Sequence, residues 1–329
     1  MSSELRFINA RITGIGINPT DYHATHGQRG DAKFSMSPST LRSFAQCPAR
    51  WMSGYDSPDS ESKEWGRLID CLVLTPGEFS NRYAVQPALY PDEKLNHKPW
   101  NNNATVCRKW RKEQEPREII TAIEHANARV ATEKIRADEI LCAFVDQSDK
   151  QVWVSGEWKC ADGMIVPVQC LIDLVPRLDS EFAKCLADLK TTRNASPRAW
   201  QRWSSLANYH VQAAFDLDLY CAATGEDRNT WCFVVQENFT PWQTGRRMLT
   251  PSKLDIGRKL YQLWLDRYCR CLSSGIWTGY DDHPEAVQGW TMDDAMPGDE
   301  YDVMSAMMEA AQASAQELPE AQDEEGLTP

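Results

Sequence analysis

The sequence predicts an α/β fold in which a mixed sheet is flanked by helices. Four segments rich in Val, Ile, Leu and aromatic residues have the composition of strands. They are residues 151–154, 164–174, 185–191 and 230–236. Helical spacing of apolar residues, or a helix-start signal, marks the segments around them. These begin at Ser37 and Pro197 and also span residues 62–74, 116–135, 209–224 and 252–272.

The charge of the chain is concentrated at its C-terminal end. The 329 residues carry a net charge of −12, but residues 291–329 contain eleven Asp or Glu and no Lys or Arg. The rest holds 35 positive and 36 negative side chains, and such a near-neutral body can still carry a basic groove. We therefore expect a flexible lead-in at residues 1–36, a folded domain at 37–290 and an acidic, partly disordered tail at 291–329.

Composition also restricts the location and the type of site. No stretch approaches the roughly 20 apolar residues of a membrane helix, and the start of the chain lacks a signal-peptide pattern. The cytoplasm is the expected location. Eleven cysteines occur at irregular spacing without a Cys-x-x-Cys pair, which is not typical of a zinc ribbon or an iron–sulfur cluster. We expect reduced thiols.

Two apolar segments end in acidic residues that point to metal-assisted chemistry. Asp173 lies in one predicted strand, and Asp188 and Lys190 lie in the next. Residues i and i+2 of a strand share a face, and antiparallel pairing would bring Asp173 beside Asp188. Neighbouring carboxylates repel unless a cation joins them, and oxygen ligands favour Mg²⁺ or Mn²⁺. A nearby lysine can orient water and offset charge on a pentavalent phosphate. The pattern predicts phosphodiester hydrolysis, although Asp-x-Lys alone is common by chance.

Three sequence blocks in order make the pattern specific. They are AspLeuLysThrThr at 188–192 with TyrHisValGlnAlaAlaPhe at 209–215, SerProSerThrLeuArgSerPhe with CysProAla at 37–49, and Gly66 to Pro76 with GluPheSerAsnArgTyr at 78–83. Together they resemble the RecE (exodeoxyribonuclease VIII)-like family of PD-(D/E)xK nucleases over about residues 35–225. The resemblance implies a restriction-endonuclease-like or RecB-like nuclease core and a phage or prophage recombination exonuclease.

The resemblance also implies a role for each matching residue. Asp173 and Asp188 would bind the metal through their carboxylates, and the backbone carbonyl of Leu189 would be a further ligand. Lys190 would be the catalytic lysine. Gln212 matches a glutamine that helps to hold DNA or the lysine.

Two positions depart from the family pattern. Where the family has a histidine, four residues after Gly66, this chain has Asp70. Positions i and i+4 share a helix face, so we expect Asp70 to reach the metal, and a carboxylate suits Mg²⁺ at least as well as imidazole. The family's tyrosine four residues after Gln212 is replaced by Asp216, with Tyr220 one turn further on, which puts the usual Gln–Tyr contact in doubt.

Polar and basic residues near the lysine are candidate DNA contacts. They are Thr191, Thr192, Arg193, Arg198, Tyr209 and His210. Phosphate contacts of this kind position DNA. Trp200 and Trp203 would suit base stacking, but tryptophans at i and i+3 more often form a core stripe.

The family implies a Mg²⁺-dependent exonuclease, with Mn²⁺ as a substitute, that hydrolyses the 5′-ended strand of linear double-stranded DNA. The resulting 3′ overhangs serve recombination by annealing. The expected partners are a RecT-like single-strand annealing protein and further copies of the chain in a ring. The tail is a candidate docking segment for the annealing protein. Two alternatives remain: a DNA-binding protein that does not cleave, and a RecB-like single-strand nuclease. Nucleases of the second kind usually carry four cysteines that bind an iron–sulfur cluster, and this sequence lacks that cysteine arrangement.

Overall fold

The computed structural model describes residues 6–55, 60–92 and 96–280. The strands in these ranges are β1 (Phe7–Gly14), β2 (Tyr83–Gln86), β3 (Leu89–Pro91), β4 (His97–Pro99), β5 (Glu118–Thr121), β6 (Ser148–Lys159), β7 (Ile165–Pro176), β8 (Cys185–Thr192), β9 (Thr230–Glu237) and β10 (Thr244–Met248). The helices are α1 (Pro19–Ala24), α2 (Pro38–Gln46), α3 (Pro48–Met52), α4 (Glu61–Leu74), α5 (Phe79–Arg82), α6 (Thr105–Glu113), α7 (Ala122–Ala137), α8 (Glu139–Asp146), α9 (Pro197–Leu206), α10 (Tyr209–Thr224) and α11 (Pro251–Ser274).

Six strands form one mixed sheet, in the order β1, β6, β7, β8, β9 and β10. Neighbouring strands are antiparallel except β8 and β9, which run parallel. A parallel pair needs a crossover connection, and α9 and α10 provide it. The predicted mixed sheet flanked by helices is therefore confirmed.

Side chains of the central strands alternate between two apolar clusters on opposite faces of the sheet. On β9, Trp231 and Phe233 belong to the first cluster, while Cys232 and Val234 belong to the second. This alternation follows from the two-residue period of a strand. Helices α10 and α11 contribute to the first cluster, and α4, α7 and α8 contribute to the second.

Helices α10 and α11 approach each other closely at Gly257. A Cβ atom at this position would lie 2.2 Å from the backbone oxygen of His210. A side chain would therefore force the helices apart, and α10 carries residues of the predicted site. The absence of a side chain at Gly257 thus allows α10 and α11 to pack this closely.

The expectation of a flexible lead-in is corrected by the position of β1. Residues 7–14 pair antiparallel with β6 and form an edge of the large sheet. Phe7 is the buried residue of this strand, and its ring lies 5.0 Å from that of Trp158. Because one buried side chain gives almost no alternation, the sequence pattern of this edge strand is weak.

Two further predictions differ from the structure. Residues 118–121, expected to be helical, form β5, which pairs in parallel with β2. The helix starts at Ala122, where Thr121 and Glu124 make a capping box. The cysteines were expected to be reduced, but Cys160 and Cys269 form a disulfide across 109 residues of sequence, and the other nine are free. Sequence spacing could not show that these two residues meet.

The acidic tail at 291–329 lies outside the described residues. Among the described helices, none combines the length and the apolar composition needed to cross a bilayer.

Replacing Phe7 tests the structural role of β1. Phe7→Ala is expected to lower the free energy of unfolding by about 3–5 kcal/mol, because it removes a buried ring. Ile12→Ala, on the same strand at 36% exposure, should change it by less than about 1 kcal/mol. Urea denaturation measures both values. Equal effects of the two substitutions would contradict a packed role for β1.

Candidate active site

The β7–β8 ladder opens where the predicted acidic residues lie. The two strands meet antiparallel with Leu174 opposite Ala187, and the next position on each strand carries Asp173 and Asp188. Here the backbone N–H of Leu189 donates to Asp173 Oδ2 at 2.9 Å. A carboxylate thus takes a hydrogen bond that a strand carbonyl would otherwise accept, and it anchors the two strands together.

Asp173 is also held from the other side. Its Oδ1 accepts from Gln151 Nε2 at 3.0 Å. Burial raises the pKa of Asp173 well above its usual value, and the negative charges of Asp188 and Asp70 raise it further. Carboxylates that lie close together repel one another, and a cation between them is stabilising.

Asp188 and Lys190, predicted to share one face of the strand, form an ion pair. Lys190 Nζ lies 2.5 Å from Asp188 Oδ2, and Asp188 is 3% exposed. Burial by itself would lower the pKa of Lys190, but Asp188, Tyr209 and Asp173 outweigh it and raise the pKa above its usual value. Lys190 therefore keeps its positive charge at neutral pH.

Tyr209 and Gln212 approach this ion pair from α10. Lys190 Nζ lies 5.3 Å from the centre of the Tyr209 ring, within cation–π range. Gln212 Nε2 donates to Asp188 Oδ1 at 2.9 Å. The predicted glutamine therefore orients a carboxylate at the site. Tyr220 is turned elsewhere, with its hydroxyl 3.2 Å from Glu226.

Asp70 reaches the same site from α4, on the other face of the sheet. α4 packs closely on β8, since a Cβ atom on Gly66 would lie 3.3 Å from Thr191 Oγ1. Burial raises the pKa of Asp70 to about 7; Lys190 opposes this shift and Asp188 adds to it. Asp70 thus lines the same cleft as Lys190, and its role as a metal ligand stays a prediction.

The donor set suits a hard divalent cation, although it is not arranged as a finished ligand cage. Within the described ranges, no group of three His, Cys, Asp or Glu side chains has the geometry of a metal site. Yet Asp188 Oδ2 is buried and has no hydrogen bond besides its ion pair with Lys190. Asp70, Asp173 and Asp188 supply the oxygen ligands that Mg²⁺ or Mn²⁺ prefers.

A cleft of about 960 Å³ leads to Lys190. The predicted metal ligand Leu189 lines it, together with four of the predicted DNA contacts, Thr191, Thr192, Arg193 and Tyr209. Further lining residues were not anticipated, namely His23, Lys63, Arg67 and Asn238. Lys63, Arg67 and Asp70 share one face of α4 at spacings of four and three residues, a signal that was present in the sequence. His23 and Asn238 had no such signal.

His210 departs from the predicted DNA contacts. It is 8% exposed, and burial together with Lys253 and Arg42 lowers its pKa to about 4. Successive helix positions point about 100° apart, so His210 faces away from the cleft that Tyr209 lines. Arg198 is exposed on α9, on a surface that adjoins the cleft.

Comparison with known proteins agrees with this geometry. A model of a family described as "PDDEXK-like domain of unknown function (DUF3799)" matches residues 37–288. The chain belongs to this family. This PDDEXK-like chain is similar to the crystal structure of a Eubacterium rectale protein that is provisionally described as an exonuclease. The TM-score is 0.52 at 15% sequence identity, and the match covers 81% of this chain and 90% of that one. At this identity the likeness concerns the fold.

A second solved structure, of the protein SSO0001, has a TM-score of 0.25 at 11% identity and covers 47% of this chain and 70% of that one. That similarity is too low to support an argument. No curated protein matches the sequence.

One buried acid of this PDDEXK-like chain lies behind the site. Asp216 is 1% exposed, and its Oδ1 has no hydrogen-bond partner among the described residues. Burial raises its pKa well above the usual value, and Asp188 adds to the shift; Cys170, Lys190 and Gln212 oppose it. Burial therefore favours the protonated form of this carboxyl.

Replacing Asp216 with the neutral, similarly shaped asparagine should change the pH dependence of stability. A raised pKa in the folded state means that the wild type loses stability as pH rises above the unfolded value of ~3.9. This loss, up to about 1.4 kcal/mol per pH unit, continues until the folded pKa is passed. Asp216→Asn should lack it.

Urea denaturation between pH 5 and 8 measures the difference. The exposed Glu133→Gln on α7 serves as the control and should follow the wild type. Parallel curves for wild type and Asp216→Asn would show that Asp216 is ionised in the folded protein.

Proposed function

We propose that this chain is a Mg²⁺-dependent exonuclease that hydrolyses the 5′-ended strand of linear duplex DNA. The observation that carries the proposal is the Asp188–Lys190 pair on β8, which lies at the end of a cationic cleft with Asp70 and Asp173 beside it. Membership of the PDDEXK-like family supports a nuclease.

The metal would be held by Asp70, Asp173, Asp188 and the backbone carbonyl of Leu189. When bound, Mg²⁺ lowers the pKa of a water molecule and withdraws charge from the phosphate. Manganese has similar ligand preferences and would substitute.

The chain's own residues position the substrate and stabilise charge. Lys190, kept positive by Asp188, donates to the attacking water or to a phosphate oxygen as negative charge develops. Gln212 holds the Asp188 carboxylate through its 2.9 Å hydrogen bond. Thr191 and Arg193 line the cleft next to Lys190 and are placed to contact phosphates.

Strand polarity and biological role rest on the resemblance to RecE. We propose that the products are 3′ overhangs for annealing recombination, and that the chain works in the cytoplasm of a bacterium or a phage-infected cell. The proposed partners are a RecT-like annealing protein and further copies of this chain in a ring. The nuclease domain, predicted from the sequence to span residues 37–290, is proposed to include β1 as well.

A DNA-binding protein that does not cleave is the second candidate. The observation in its favour is that the three carboxylates are not arranged as a finished metal cage in the described residues. It predicts DNA binding in the cleft without hydrolysis.

The central test replaces the lysine. Lys190→Met should lower the rate of hydrolysis about 10²–10³-fold, as expected for loss of one donor to a developing charge, with a much smaller effect on DNA binding in chelator. Lys184→Met is the matched control, because Lys184 is exposed and pairs with Asp227 near the start of the same strand. Its rate should equal the wild type.

The substrates are linear duplex with a 5′ or a 3′ label, closed circular duplex and single strands, each with Mg²⁺, Mn²⁺ or chelator. Early release of the 5′ label from linear duplex alone, dependent on metal and Lys190, supports the proposal. Absence of hydrolysis with either metal would favour the non-cleaving candidate.

Asp70 gives a separate test of metal preference. Asp70→His introduces the residue that RecE-like nucleases usually have at this position. Imidazole suits Mn²⁺ better than Mg²⁺. The variant should keep activity but need more Mg²⁺ for half-maximal rate, so its Mn²⁺-to-Mg²⁺ rate ratio should rise. Titration of both metals with Asp70→His and Asp70→Ala measures this. If all three proteins have the same metal dependence, Asp70 is not a ligand.

A further inference from the structure

The outer face of α9 forms a surface next to the cleft, and the two tryptophans of this helix lie in different environments. Trp200 is 4% exposed, and its ring centre lies 5.5 Å from that of Phe233 and 5.7 Å from that of Tyr209. Trp203 is 52% exposed. The core-stripe interpretation therefore holds for Trp200 and not for Trp203.

The basic and apolar side chains next to Trp203 suit a negatively charged ligand that carries aromatic bases. A second, shallower cavity is lined by Arg198, Arg202, Trp203 and Leu206. Leu206 is 70% exposed, so it extends the apolar surface one turn beyond Trp203.

The charged residues that line or adjoin this second cavity are arginines. Arg193, Arg198 and Arg202 are exposed, and none of them is ion-paired with a carboxylate among the described residues. Exposed cations of this kind attract phosphates in a salt-dependent manner.

The second cavity adjoins the cleft. Ala199 and Trp203 line both, and the cleft in turn contains Lys190. A strand whose phosphate lies at Lys190 would therefore pass Arg193 and continue onto the α9 face. Trp203 therefore lies at the boundary between the cleft that contains Lys190 and the second cavity.

We propose that the α9 face binds unpaired nucleotides of a DNA strand, with a base stacked on Trp203 and phosphates on Arg198 and Arg202. Bases within a duplex are stacked on one another and offer no free face to a surface tryptophan, whereas unpaired bases do. The occupant is thus single-stranded DNA beside the cleft. This inference rests on the proposed nuclease function, because it places the frayed or product strand of the same substrate.

Binding is measured with the full chain in chelator, by fluorescence anisotropy of a labelled oligothymidylate of about 12 nucleotides, a length that one stacking platform spans. Trp203→Ala should weaken binding about 5- to 150-fold, the range expected for loss of one base stack. Trp203→Phe should restore most of the affinity. Ile123→Ala, an exposed apolar side chain on α7, is the control and should bind as the wild type does.

An oligomer of the same length without bases separates stacking from charge. The wild type should bind it more weakly than oligothymidylate by the same factor that Trp203→Ala costs, and Trp203→Ala should bind the two oligomers alike. Arg198→Gln with Arg202→Gln should weaken both oligomers and reduce the salt dependence of binding. A blunt duplex should not distinguish Trp203→Ala from the wild type.

Unchanged affinity of Trp203→Ala for oligothymidylate overturns the inference and would leave the face to a protein partner. Equal loss for the abasic oligomer also overturns it, since stacking would then play no part. Hydrolysis assays distinguish this failure from failure of the proposed function. Wild-type cleavage with unchanged Trp203→Ala binding refutes the α9 surface alone, whereas Trp203-dependent binding without any cleavage supports the surface and refutes the nuclease.

Discussion

The hydrogen bond from the Leu189 N–H to the Asp173 carboxylate determines the geometry of the whole site. It forms where β7 and β8 stop pairing through their backbones. Because a side chain takes over this hydrogen bond, the two strands stay anchored although the ladder opens. Asp188 and Lys190 then lie at an opening instead of inside a continuous sheet. The opening gives Asp70 and the substrate cleft access to β8.

Burial and charge oppose each other throughout the site. Burial raises the pKa of Asp70, Asp173 and Asp216, while the one lysine among them is kept positive by Asp188. One cation does not balance several carboxylates in a poorly solvated place. This imbalance is the electrostatic reason to place a divalent metal here, and Gln212 restrains the carboxylate that would bind it. At Asp216, which lies behind the site, burial favours the protonated form.

Much of the fold could be predicted because its central elements have strong periodic patterns. The strands around Asp173 and Asp188 and the helix of Gln212 are buried, so their apolar spacing is clear. The lysine, the glutamine and Asp70 were predictable from spacing and family resemblance together. β1 was not, since an edge strand buries little, and His23 enters the cleft through contacts far apart in sequence. The orientation of His210 also depends on how α10 packs, which no local pattern contains.

The positions of the site residues along the chain have a consequence for the assembly of the site. Asp173, Asp188, Lys190 and Gln212 follow one another along the chain from β7 to α10, so modest loop closures bring them together. Asp70 comes from α4, more than a hundred residues earlier, and packs against the opposite face. Contacts between distant segments carry a larger closure entropy and limit folding rates more than local ones. The lysine and its nearest carboxylates are therefore close along the chain, whereas bringing Asp70 to them closes a loop of more than a hundred residues.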